Sequence, residues 1–139
     1  MKADSIEIFD HDTDVDIAHK INTMELSNWI SHLTYIETEL VNLTGIYSVK
    51  LKEKLHSNSV LNRLLKKKIE NKKLLIALSK YASNRSKIVE CESMPCDMVY
   101  IIEHESYRRS YLYHLDKYKT LKDEFFNKLQ VKFSLLKSV

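Results

Sequence analysis

The chain has 139 residues, one glycine, one proline, two cysteines and a formal charge of +3. That length suits one domain, and a charge so small does not by itself mark a nucleic-acid binder. A single glycine rules out the Gly-rich loops that cradle phosphates and dinucleotides.

Gly and Pro are the main punctuators of turns, so a chain this poor in both has few turns and long elements. The expected fold is all-α: an antiparallel bundle of three long, coiled-coil-like helices over 21–139, preceded by a non-helical acidic arm over 1–20. No run reaches the roughly 18 apolar residues of a membrane helix. The N-terminal MKADSIEIFDHD is acidic and lacks an apolar segment, so no signal peptide is expected. A cytoplasmic location follows as the default, with Cys91 and Cys96 as free, reduced thiols.

The arm carries Asp4, Glu7, Asp10, Asp12, Asp14 and Asp16 against Lys2 and Lys20. SIEIF reads as a short apolar tail able to dock, and DHDTDVD as a solvated acidic stretch. The alternating aspartates resemble the start of a calcium loop. Such a loop needs Gly at its sixth position and Glu at its twelfth. Counted from Asp10, those positions hold Val15 and Ile21.

The first helix is predicted from about Met24 to Leu55, with Asn22 or Thr23 as its cap. Leu26, Trp29, Leu33, Ile36, Leu40, Leu43 and Tyr47 recur at spacings of three and four, a heptad seam. The seam shifts at Leu51 and Leu55, and Gly45 inside it marks a close approach or a kink. HSNS at 56–59 breaks the chain, with Ser57 or Ser59 as the next cap. The second helix runs to about Val89 with Val60, Leu61, Leu64, Leu65, Ile69, Leu75, Ile76, Leu78 and Tyr81 inward, and KKKIENKK facing water.

CESMPC at 91–96 is the second break, where Ser93 precedes Pro95 in the first turn of the last helix. Met98, Ile101, Ile102, Leu112, Leu115, Tyr118, Leu121, Phe125, Leu129, Phe133 and Leu136 form its predicted inner face. A bundle this long and thin leaves much surface, so self-association or a protein partner is expected.

Two segments carry a family resemblance. ELSNWISHLTYIETELVNL at 25–43 and EHESYRRSYLYHLDKYKTLKDEFFNKL at 103–129, with its LKDEFF run at 121–126, resemble small helical proteins of unknown function from Bacteroidetes. Those proteins often show a His just before the Trp segment, where this chain has Leu26 and Ser27. The resemblance implies a helical hairpin or bundle and brings no activity with it.

No catalytic, metal or cofactor site is expected. His32, His56, His104 and His114 do not fall at the spacings of a di-iron bundle, and Glu53–His56 is the single ExxH, at a helix end. His104 with Glu37 or Glu39 reads as polar groups at the core edge. Two cysteines lack the partner pair a structural zinc needs. No nucleophile has a base and an orienting group beside it, so the chain is not expected to be an enzyme.

Two surfaces remain. Arg63, Lys66, Lys67, Lys68, Lys72 and Lys73, offset by Glu70, form a basic tract suited to phosphates or an acidic partner. Trp29, Tyr107, Arg108 and Tyr111 form a candidate partner surface. The leading expectation is a helical interaction or scaffold protein, self-associating, with no membrane role. The alternative is an accessory subunit of a nucleic-acid-containing complex using the lysine tract. The acidic arm folding back on that tract is a rival account of the charge pattern.

Overall fold

A computed structural model of the chain describes residues 6–46 and 59–137, with side chains up to Leu129 in the last helix. Three helices carry the described chain: α1 (Asp14–Ile46), α2 (Ser59–Asn84) and α3 (Met94–Lys137). A 3-10 segment (Arg85–Glu90) extends α2. There is no strand among the described residues. The predicted all-α bundle is present. Arg85, at the end of α2, meets His19 and Thr23, at the start of α1, and Arg63 meets Glu124. So α2 runs antiparallel to both neighbours. Glu25 meets His104 and Glu39 meets Lys122, which sets α1 and α3 parallel.

The first helix starts ten residues earlier than its seam implies, at Asp14 rather than Met24. The cap is Thr13: its Oγ1 accepts from the Asp16 amide at 3.1 Å, and Asp16 Oδ2 accepts from the Thr13 amide at 3.0 Å. That reciprocal pair is a capping box, with Asp14 and Asp16 beside the positive helix end. Residues 14–20 of the predicted non-helical arm are therefore a helix start. Residues 6–13 do lie outside the helix. They fold against α1 and not onto the lysine tract of α2. Lys20 Nζ donates to the Glu7 carbonyl at 2.7 Å and to Asp12 Oδ2 at 2.6 Å, and sits over the Phe9 ring. The Lys20 bond foremost, and a bond from the Phe9 amide to Asp12 Oδ2, hold the Asp12 carboxyl below its usual range.

The core seam of α1 is as predicted: Leu26, Trp29, Leu33, Ile36, Leu40 and Leu43 are all buried. Tyr47, Leu51, Leu55, His56 and Ser57 lie outside the described residues, as do the side chains of Phe133 and Leu136. A Cβ added at Gly45 would meet nothing within 4 Å, so no close approach explains this glycine. In α2, Val60, Leu61, Leu64, Leu78 and Tyr81 are buried, but Leu65, Ile69 and Ile76 face solvent, with Ile69 59% exposed. KKKIENKK does not all face water, because Asn71 is fully buried. Its amide donates to the Leu33 carbonyl at 2.9 Å, and its Oδ1 lies 2.8 Å from His114 Nε2.

The largest departure is in α3. Tyr118, Leu121, Phe125 and Leu129 are buried as predicted, but Met98, Ile102 and Leu112 are exposed, and the inner face before Tyr118 is instead His104, Tyr107, Tyr111 and His114. Those positions also alternate by three and four. The seam is regular, but its positions from His104 to Tyr118 are all polar rings. Ser93 begins this helix as predicted, its carbonyl accepting from the Asp97 amide at 3.2 Å.

Cys91 and Cys96 are not free thiols. They form a disulfide, with Cα atoms 5.5 Å apart. The 3-10 segment ends at Glu90, and the short turn to Ser93 brings Cys91 onto the first turn of α3. That places the pair within bridging range. The closed loop is short, so the entropy removed from the unfolded chain is worth at most about 2 kcal/mol. The Cys91→Ser, Cys96→Ser double variant is expected to lose no more than that in urea denaturation and to keep its helicity.

Candidate functional site

A continuous line of polar groups runs through the upper half of the bundle. Trp29 stacks between His104, at 4.8 Å, and Tyr111, at 5.2 Å. His104 joins Tyr81 and Glu25: Tyr81 Oη is 2.8 Å from His104 Nδ1, and His104 Nε2 is 2.7 Å from Glu25 Oε1. Arg85 Nη1 donates to Tyr81 Oη at 2.7 Å. Arg108 donates to both oxygens of Glu25, at 3.0 and 2.6 Å, and also pairs with Glu105.

The donors and acceptors assign the protons. Glu25 is acceptor-only, so His104 Nε2 carries a hydrogen. Its Nδ1 then accepts from the Tyr81 hydroxyl, which in turn accepts from Arg85. His104 is a neutral imidazole in this scheme. Burial pushes its pKa down, against the pull of Glu25. Burial would raise the Glu25 carboxyl, but the bonds from Arg108 and His104 prevail and hold it low. His104 and Tyr81 are buried, and Trp29 closes the stack. A fully paired internal network of this kind fixes helix register.

Of the predicted partner surface, Trp29 and Tyr111 are buried, while Tyr107 and Arg108 are half-buried. Trp29 is 5% exposed, Tyr111 bonds His32 at 2.6 Å, Tyr107 stacks on Tyr81 at 4.4 Å, and Arg108 is spent on carboxylates. Trp29, Tyr107 and Tyr111 fall on the helix seams, which is the physical reason.

The basic tract is divided. Arg63 is held by Glu124 through two bonds of 2.5 and 2.6 Å, and Lys67 by Glu70 at 2.7 Å. Lys66 and Lys73 flank the outer face of α2 on the edge nearer α3, while Lys68 and Lys72 lie on the opposite edge. Lys66 and Lys67 also line a groove of about 390 Å³ with Tyr113 and Lys117 of α3.

A second cavity, of about 380 Å³, lies where the N-terminal arm crosses the start of α1 and the 3-10 segment. Ile6, Phe9, Ile88 and Val89 supply apolar walls; His19, Lys20, Thr23 and Arg85 supply polar ones. His19 Nε2 is 2.8 Å from Asp97 Oδ1, while its buried Nδ1 has no partner. Sequence reasoning passed over His19, Asn71, Tyr81 and Arg85 as functional groups. The signal was there: Val60, Leu64, Lys67, Asn71, Leu74, Leu78, Tyr81 and Arg85 alternate by three and four, so Asn71 and Arg85 occupy seam positions.

Among the described residues no group of three His, Cys, Asp or Glu is placed to hold a metal, and no helix is long and apolar enough to cross a membrane. No family model matches the chain, and no curated protein or solved structure matches it.

Proposed function

We propose that the protein is a non-enzymatic helical interaction module that associates with a second copy of itself through the outward face of α3. The observation that carries this reading is a stripe of large apolar side chains on that face. Met94, Met98 and Ile102 follow at intervals of four, with Leu112 farther along, and Met94 and Ile102 are 76% and 64% exposed. Residues four apart share a helix face. A solvent-facing apolar stripe of this length is a mark of an interaction site. Glu105 and Arg109 lie on the same face, so the stripe carries both signs and is self-complementary in a coiled-coil-like, two-fold pairing. The outer face of α2 suits self-pairing less, since Lys66, Lys72 and Lys73 would meet their own copies.

Light scattering across concentration tests this. The wild type is expected to gain mass as concentration rises. The Met98→Glu, Ile102→Glu variant is expected to stay monomeric with unchanged helicity. A wild type that remains a monomer at the highest concentrations overturns the proposal.

A second reading rests on the groove between α2 and α3. Lys66 and Lys117 lie there beside the exposed Tyr113 ring, a combination suited to a phosphate backbone and a base. An accessory role in a nucleic-acid-containing complex would show as salt-dependent gel shifts that weaken in Lys66→Glu, Lys117→Glu. No shift at low salt removes it. The likeness to small Bacteroidetes proteins fits either reading. The cytoplasmic location expected from the sequence is weighed against by the Cys91–Cys96 bridge, since disulfides persist in oxidising compartments.

A further inference from the structure

We propose that the cavity under the N-terminal arm binds a small monocarboxylate with an apolar body, its carboxylate on the Arg85 guanidinium and its body between Phe9, Ile88 and Val89. This site is separate from the α3 face and stands or falls independently of it.

Arg85 carries the argument. Its side chain lines the cavity and is 4% exposed. Its hydrogen bonds run from Nε to Thr23 Oγ1, from Nη1 to Tyr81 Oη, and from Nη2 to the His19 carbonyl and Thr23 Oγ1. Each of those acceptors is a neutral oxygen. A guanidinium has five N–H donors, so one on Nη1 remains uncommitted. No carboxylate among the described residues lies within ion-pair distance of it, although buried charges are ordinarily paired.

The neighbouring cation is different. Lys20 already has the Asp12 carboxylate and the Glu7 carbonyl. Arg85 is therefore the uncompensated charge of the cavity. Glu7, the one acid of the lining, is exposed and sits on the arm at the rim.

The rest of the lining selects the class of ligand. Ile6, Phe9, Ile88 and Val89 form an apolar side of the lining, which suits an apolar body better than a sugar's hydroxyls. A single free N–H on one guanidinium matches a monoanion better than a phosphate dianion, whose hydration the apolar walls cannot replace. A volume of about 380 Å³ falls in the lower part of the range for small-molecule sites, which suits a medium-chain or aryl carboxylate. The arm acts as one wall, fastened by Lys20.

The probe is octanoate, titrated into the full-length protein and followed by amide chemical shifts, with octanol as the uncharged control. Octanoate is expected to saturate one site, shifting amides near His19, Thr23 and Arg85–Val89. Octanol should bind at least about tenfold more weakly, the share of a charge-assisted hydrogen bond. Because Arg85→Met removes internal bonds and risks the fold, the deciding variant is Val89→Glu. Val89 is almost fully exposed, so a charge there leaves the core intact while repelling the ligand at the mouth. Binding should fall by about tenfold or more. No saturable shift up to about 10 mM octanoate overturns the proposal. So does equal binding of octanol, or octanoate binding that Val89→Glu leaves unchanged.

Discussion

Replacing Trp29 by alanine is expected to cost about 3–5 kcal/mol of unfolding free energy, the range for truncating a large buried aromatic. Trp29 is buried, and its ring is sandwiched between His104 and Tyr111. Truncation removes the largest side chain of the core and both stacks at once. It also opens space beside His104, whose bonds to Tyr81 and Glu25 depend on a dry, fixed ring. Marginal stability in domains of this size is about 5–15 kcal/mol, so the loss is a large share of the total. Urea denaturation followed by far-ultraviolet dichroism measures it, since the variant has no tryptophan to fluoresce. Trp29→Phe keeps one stacked ring and should lose clearly less. A cost below about 1 kcal/mol for the alanine variant would mean that the stack does not support the bundle.

Acid is expected to weaken the fold well before the carboxylates titrate. Burial pushes the His114 imidazole from 6.5 down to about 4, helped by the nearby Lys67 and opposed by Glu70. Asn71 explains the chemistry: its amide is spent on the Leu33 carbonyl, so its oxygen takes the hydrogen on His114 Nε2. A second proton has no buried acceptor there.

A folded-state pKa below the unfolded value means that the unfolded chain binds more protons between the two. The stability contribution is therefore complete above about pH 6.5 and is lost as pH falls toward about 4. At 1.36 kcal/mol per unit, about 2 kcal/mol goes by pH 5 and about 3 kcal/mol by pH 4. His104, also pushed down, adds with the same sign. Glu25 and Glu39 are held below their usual range, so their protonation adds a further loss at still lower pH. Urea midpoints at pH 7.5 and pH 5 test the claim, with His114→Gln expected to flatten the difference. Equal midpoints for the wild type at the two values would refute it.

The seam of α1 was legible because Leu26, Trp29, Leu33, Ile36, Leu40 and Leu43 are all apolar, and a heptad of apolar residues has one reading. The seam of α3 has the same spacing, but from His104 to Tyr118 every position is His or Tyr. Hydropathy then favours the wrong face, the one with Met98, Ile102 and Leu112. Pairing is what makes His104 and His114 acceptable inside, and pairing partners lie on other helices. The start of α1 was missed because aspartates were weighed as net charge and not as the cap and first turn that Thr13 and Asp16 form. The cavity under the arm was invisible for another reason: its walls come from three segments that meet only on folding.

The amino-acid order alone determined that this protein is a bundle of three long helices, because a chain with one glycine and one proline has few places to turn. The tertiary structure alone decided which face of each helix points inward and where charge stays uncompensated. Those outcomes depend on hydrogen bonds between residues far apart in the chain, such as Glu25 with His104 and Arg85 with His19, and a local pattern carries no record of such a partner.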